Sequence, residues 1–170
     1  MDHCDVIVVG GGIAGSAVAS VLAVAGVDVL LLDTATEYRD RVRGEYLQPW
    51  GVAEMLRMQL ETVLLEAGGG WCRRMIGYSE GVDPAAAEAE AVPLGAMVPG
   101  APGGFCVGHP QASEALNSTA SARGATVRRG VTAVAVTGTS VQASLPGKYA
   151  HGPACSAVAS RSLPGTHARS

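Results

Sequence analysis

Residues 10–15, "GGGIAG", place four glycines between a β-branched run and a stretch of small apolar residues. No other feature of the chain limits its fold so strongly. "DVIVV" (5–9) has the composition of a buried parallel strand. "SAVASVLAVA" (16–25) reads as a helix, and Gly26 is placed to close it. "VDVLLLD" (27–33) reads as a second buried strand that ends on an acid. Gly10, Gly12 and Gly15 match the G-x-G-x-x-G spacing of a dinucleotide-binding βαβ unit. Gly10 permits the tight turn out of the first strand. Gly12, lacking a Cβ, lets a pyrophosphate approach the backbone. Gly15 lets the helix pack close to the strand, and Ala19 keeps the same face small one turn later. The helix N-terminus offers unpaired N–H groups and a partial positive charge to phosphate. The site predicted from this stretch is Gly10, Gly11, Gly12, Ile13, Ala14 and Gly15, with Asp33. An acid about twenty residues past the glycines accepts hydrogen bonds from a ribose 2′-hydroxyl, and it disfavours the 2′-phosphate of NADP. A glycine-rich turn in some other α/β protein is the competing reading.

Residues 6–32 carry a single charge, Asp28, so length alone also admits a membrane span of about 20 residues. The clustered glycines, the strand–turn–helix punctuation and the lack of a basic flank oppose it, and no membrane span is expected. With 48% hydrophobic residues in a chain of 170, one packed domain is feasible. A net charge of −3 argues against a nucleic-acid partner. Cys4, Cys72, Cys106 and Cys155 form no C-x-x-C pair, and no basic, apolar leader precedes them, so reduced thiols and a cytoplasmic location are expected. The histidines show no ligand spacing with the cysteines, and no metal site is expected. No nucleophile-and-base arrangement is visible, so no catalytic residue is assigned.

The segment after the second strand bears on which dinucleotide is held. "RVRGEYLQP" (41–49), followed by a helical pattern, resembles the corresponding stretch of flavoprotein aromatic-hydroxylase-type monooxygenases and their halogenase-like and reductase relatives. The resemblance runs from Asp5 to about Thr137. It implies an α/β, Rossmann-like FAD-binding βαβ fold with a parallel sheet and an incomplete second, substrate-binding layer. It further implies FAD as cofactor, NAD(P)H as transient reductant and O₂ as oxidant, acting on a small-molecule substrate. Arg41 and Arg43 match arginines placed along the FAD in that family. On alternate positions of an extended segment they project to one side, where they would meet a pyrophosphate, although a solvated charged loop reads the same way. His109 stands where relatives commonly have an FAD-contacting Arg or Gln at the start of a helix, and a capping or surface histidine is the alternative. Val134 matches a strand residue whose backbone pairs with adenine in relatives, and it also reads as plain strand core.

Between these points, Pro49 to Leu64 reads as one helix with Val52, Met55, Leu56, Leu60, Val63 and Leu64 inward, and 68–70 ends it. Trp50, at its start, reads as packing more readily than as a ligand contact. Residues 71–81 read as a strand and 82–104 as a loop or a weakly ordered insertion. "FCVGH" reads as a strand, and Pro110 opens a helix whose inward face is Ala112, Ala115, Leu116, Thr119 and Ala122. The FAD-binding domain is therefore expected over 1–141 and an irregular or disordered tail over 142–170. The family's later Asp-Gly and Gly-Asp motifs are missing, so the chain reads as a truncated N-terminal portion. Two alternatives accompany the monooxygenase reading: a non-catalytic dinucleotide-binding fragment, and an NAD-dependent dehydrogenase fragment.

Overall fold

The computed structural model describes residues 4–40, 46–137, 140–145, 148–151 and 156–159, with side chains described as far as 135 apart from 133. The chain divides into two compact units: residues 1–37 with 117–170, and residues 38–116.

In the first unit, β1 (Val6–Val9) leads through the glycine turn into α1 (Ile13–Val24), and the chain returns as β2 (Val29–Leu32). β1 and β2 are parallel, with Val6 beside Val29 and Val9 beside Leu32. Continuous β-branched and leucine side chains suit strands covered on both faces. Val8, Val29 and Leu31 pack with Ala19, Ala120 and Ala125 in one apolar cluster, while Ile7 and Leu32 pack with Cys4 and Val131 in another. α1 buries only small residues, Gly15, Ser16, Ala17, Ala19 and Ser20, which is what a close helix–sheet approach requires. Gly26, at φ +81°, follows α1 in the left-handed conformation expected of a closing glycine.

In the second unit, β3 (Tyr46–Leu47) precedes α2 (Pro49–Arg57), α3 (Glu61–Glu66), β4 (Gly70–Cys72) and β5 (Arg74–Met75). Then come α4 (Pro84–Ala89), β6 (Val92–Pro93) and β7 (Gly104–Cys106). β7 is flanked by β3 and β4, both antiparallel to it. β5 pairs with β6. α5 (His109–Ala122) starts in this unit, and the division between units falls within it. Back in the first unit, β8 (Thr126–Arg128) joins the sheet parallel to β2, as the order strand, helix, parallel strand requires.

Several expectations need correction. The helix from Pro49 is two helices. The chain breaks at Gln59, a non-glycine residue at φ +56°, and Leu60 then restarts it. Val52, Met55, Leu60 and Leu64 are buried as expected, but Leu56 and Val63 are only partly so. Periodicity survives such a break because both helices bury the same kind of side chain. Trp50 is 58% exposed and is not packing. The strand read at 71–81 is two short ones, β4 and β5. The region 82–104 is not simply a loop: Asp83 caps α4 by accepting from the Ala86 N–H at 3.1 Å, Pro84 takes the first turn, and alanines fill the helix. The inward face of α5 is rotated from the expected one. Ala112, Ser113, Leu116, Asn117 and Ala120 are buried, whereas Ala122 is exposed. A reading by apolarity alone passes over buried polar residues.

The tail was expected to be irregular from 142. Its described residues are strands. β9 (Ala133–Thr137) and β10 (Ser140–Leu145) are antiparallel, β11 (Lys148–His151) continues the meander, and β12 (Ser156–Ala159) lies parallel to β1. Backbone pairing supplies what weak side-chain alternation in Ser and Ala does not announce.

Candidate dinucleotide-binding site

The glycine turn follows directly from β1. Gly10 has φ +108°, a conformation that side chains other than glycine rarely adopt, and its N–H donates to Leu32 O at 2.7 Å. A Cβ on Gly15 would collide with the carbonyl oxygen of Gly10, so the helix can start this close to the strand only with glycine there. A Cβ on Gly12 would meet nothing within 4 Å. Steric closeness to the protein therefore does not demand glycine at 12, and the open space is what a ligand backbone approach uses. Gly12 is also the N-cap of α1, with no side-chain cap and no acid in the first turn. The orphan N–H groups of a twelve-residue helix are left to an anion. Ile13 is half-buried and Ala14 exposed at this end.

Asp33 ends β2 at 9% exposure. Its Oδ1 accepts from the Ala35 N–H at 3.2 Å, its own N–H donates to Arg128 O at 2.9 Å, and its carbonyl accepts from Val131 N–H at 2.9 Å. A Cβ on Gly11 would lie 2.8 Å from Asp33 Oδ2 and 3.0 Å from Asn117 Nδ2. The acid and the glycine turn are thus in direct contact, as the ribose-and-phosphate reading of the sequence needs.

Three further residues organise this site. Asn117 Nδ2 donates to Gly11 O at 2.6 Å and to Ser16 Oγ at 2.7 Å, while Ser16 Oγ donates to Gly11 O at 2.7 Å. All of this is buried, and it fixes the orientation of the Gly11 peptide. Arg129 donates to Ala35 O at 3.3 Å and to Thr36 O at 2.8 Å, holding the turn that carries Asp33. The sequence signal for Asn117 was an Asn inside a helix, between Leu116 and Ala120, where that residue is intrinsically poor and needs a partner. Arg129 carried no comparable signal.

Four further residues were expected at this site. Arg41 and Arg43 lie outside the described residues. His109 starts α5 in the second unit, half-buried, with a buried Nδ1 that meets no hydrogen-bond partner among the described residues. Val134 packs beside the cluster of Cys4, Ile7, Leu32 and Val131, in line with the strand-core reading. Among the described residues no group of three or more His, Cys, Asp and Glu side chains is placed to hold a metal, and no helix is long and apolar enough to cross a membrane.

A family described as FAD binding domain matches residues 3–150. The chain belongs to that FAD-binding family. The cofactor of this domain is therefore FAD, and the open cradle at Gly12, the uncapped helix and Asp33 fit its pyrophosphate and ribose. The dehydrogenase alternative falls with this match. Menaquinone reductase of Mycobacterium tuberculosis is 52% identical over 59 residues, 35% of this chain and 14% of that protein. Squalene epoxidase erg1 of Aspergillus fumigatus is 38% identical over 63 residues, 37% of this chain and 13% of that protein. The FAD-binding domain here thus spans a small part of the length of these relatives. Among solved structures, p-nitrophenol 4-monooxygenase PnpA from Pseudomonas putida superposes with a TM-score of 0.76 at 21% identity, covering 98% of this chain and 43% of that one. AlpK superposes with a TM-score of 0.67 at 27% identity, covering 94% and 31%.

Proposed function

We propose that this FAD-binding domain serves an NAD(P)H-dependent flavoprotein monooxygenase acting on a small organic molecule. The observation that carries the reading is the open approach at Gly12, set at an uncapped helix N-terminus with Asp33 against the same turn. Gly10, Gly11, Gly12, Ile13, Ala14 and Gly15 receive the pyrophosphate, and Asp33 accepts from the adenosine ribose. Val134 borders the adenine through its backbone. Arg41, Arg43 and His109 add cationic or hydrogen-bonding reach to the phosphates and ribityl chain. Bound flavin supplies the redox chemistry, and the protein supplies position and charge. Similarity to a squalene epoxidase supports oxygenation, while similarity to menaquinone reductase favours reduction as the second reading. A cytoplasmic location belongs to the same proposal.

The test is a visible spectrum of the purified chain after gel filtration, followed by titration with FAD. Flavin retained or taken up supports the reading, and a colourless protein that refuses FAD overturns it. Weak or substoichiometric FAD binding and no robust NAD(P)H oxidation are expected of the isolated chain.

A further inference from the structure

The antiparallel sheet of the second unit has two unlike faces. On one, Phe105 is fully buried, and Trp71 meets it edge-on with ring centroids 5.0 Å apart. Side chains alternate across a strand, so Tyr46, Cys72 and Cys106 share the opposite face. There the Sγ atoms of Cys72 and Cys106 approach to 3.2 Å, although 34 residues separate them in the chain. The register explains the approach. Cys106 is opposed by Gly70, and Cys72 by Gly104. Within the β4–β7 pair neither thiol has a side chain directly across from it, so both lean along the diagonal that the glycines leave open, while on the β3 side Cys106 is opposed by Tyr46. The Tyr46 ring covers the remaining space, lying where a Cβ on Gly104 would sit. Cys106 is exposed and Cys72 half-buried. A disulfide needs its sulfurs about 2.0 Å apart, so closure asks for a movement of about 1 Å, within reach of side-chain rotation.

We propose that Cys72 and Cys106 form a reversible dithiol–disulfide site that takes small-molecule disulfides, such as oxidised glutathione, as its oxidant. The Cys106 thiolate, being exposed, attacks one sulfur of the oxidant. A protein–glutathione disulfide forms and one glutathione leaves as thiolate. The Cys72 thiolate then attacks Cys106 Sγ, the protein disulfide forms, and the second glutathione leaves. Two protein thiols lose two electrons and two protons, and one glutathione disulfide gains them as two thiols. In a reducing compartment such a bond is transient, and its formation reports a change in thiol poise. Closing it ties β4 to β7 and restrains the chain between them.

The experiment uses the full chain, treated with excess oxidised glutathione, then analysed by thiol titration, intact mass and peptide mapping. The expected result is loss of two of the four thiols, a mass lower by two hydrogens, a cross-link joining the peptides of Cys72 and Cys106, and full reversal by dithiothreitol. Cys72→Ser should instead retain one glutathione on Cys106. The same treatment in urea should lose the preference for this pair. Four surviving thiols, a stable glutathione adduct on the wild-type chain, or a cross-link through Cys4 or Cys155 would each overturn the proposal. The wild-type map decides the question even where a serine variant fails to fold.

Discussion

Gly12 and Gly15 belong to one motif and answer differently to the same added methyl. At Gly15 the methyl has no room beside the Gly10 carbonyl, so Gly15→Ala is expected to cost about 1–3 kcal/mol of stability, read by urea denaturation. At Gly12 the methyl enters open space, so Gly12→Ala should leave stability within about 0.5 kcal/mol of wild type. Its effect should appear in FAD titration instead, as an affinity loss of at least about tenfold, or ~1.4 kcal/mol. Equal stability losses in both variants would mean that both glycines serve the fold alone. Asn117 makes a third case. Asn117→Ala removes two buried hydrogen bonds, those donated to Gly11 O and Ser16 Oγ, and should destabilise by about 1–3 kcal/mol. The turn at Gly10 and the close packing at Gly15 could be read from spacing because each forces a glycine. Asn117 could not, because its role depends on a contact made across 106 residues of chain.

At the scale of elements, the βαβ unit was legible because its strands, turn and helix each carry their own local signal and all agree. The two-helix segment was not. Its break rests on one backbone angle at Gln59 that no side chain announces. Gln59→Gly should relieve that left-handed conformation, worth about 1–2 kcal/mol, against about 0.5–1 kcal/mol of added chain entropy in the unfolded state. A small gain in the thermal midpoint is expected, and a clear loss would mean that the Gln59 side chain holds the turn. Of the β3–β7–β4 sheet, β4 and β7 fall on stretches read as strands, but β3 and the pairing went unread for a different reason: the strands run only two or three residues, too short for alternation to register. Its chemistry shows in Tyr46. Burial first, then the neighbouring Cys72 and Cys106, raise the phenol above its ordinary value of 10.0. An acid raised in the folded state favours folding while protonated, so this contribution is present below 10.0 and is lost as pH climbs through the folded value. Subtracting the tyrosinate titration of Tyr46→Phe from that of wild type should give a midpoint above 10.0, and a midpoint at or below it would contradict the environment described.

For the whole molecule, the cofactor is a folding partner for the unit that holds the glycine turn. The continuous sheet of that unit draws β1, β2 and β8 from distant parts of the chain, and the glycine turn and Asp33 sit at the ends of its first two strands. A ligand that binds only when those strand ends are assembled stabilises them by mass action. At one hundred times its dissociation constant, FAD should add about 2.7 kcal/mol, and its effect should grow with concentration. NADP, whose 2′-phosphate meets the Asp33 carboxylate, should give a far smaller rise at equal concentration. The Gly12→Ala chain should unfold at the wild-type midpoint without FAD and, binding about tenfold more weakly, gain no more than about 1.4 kcal/mol at the same FAD concentration. That pair of curves separates the cradle from the scaffold. A wild-type midpoint indifferent to FAD would leave the glycine turn as a packing device. A rise undiminished in Gly12→Ala would place the flavin's phosphates away from this helix.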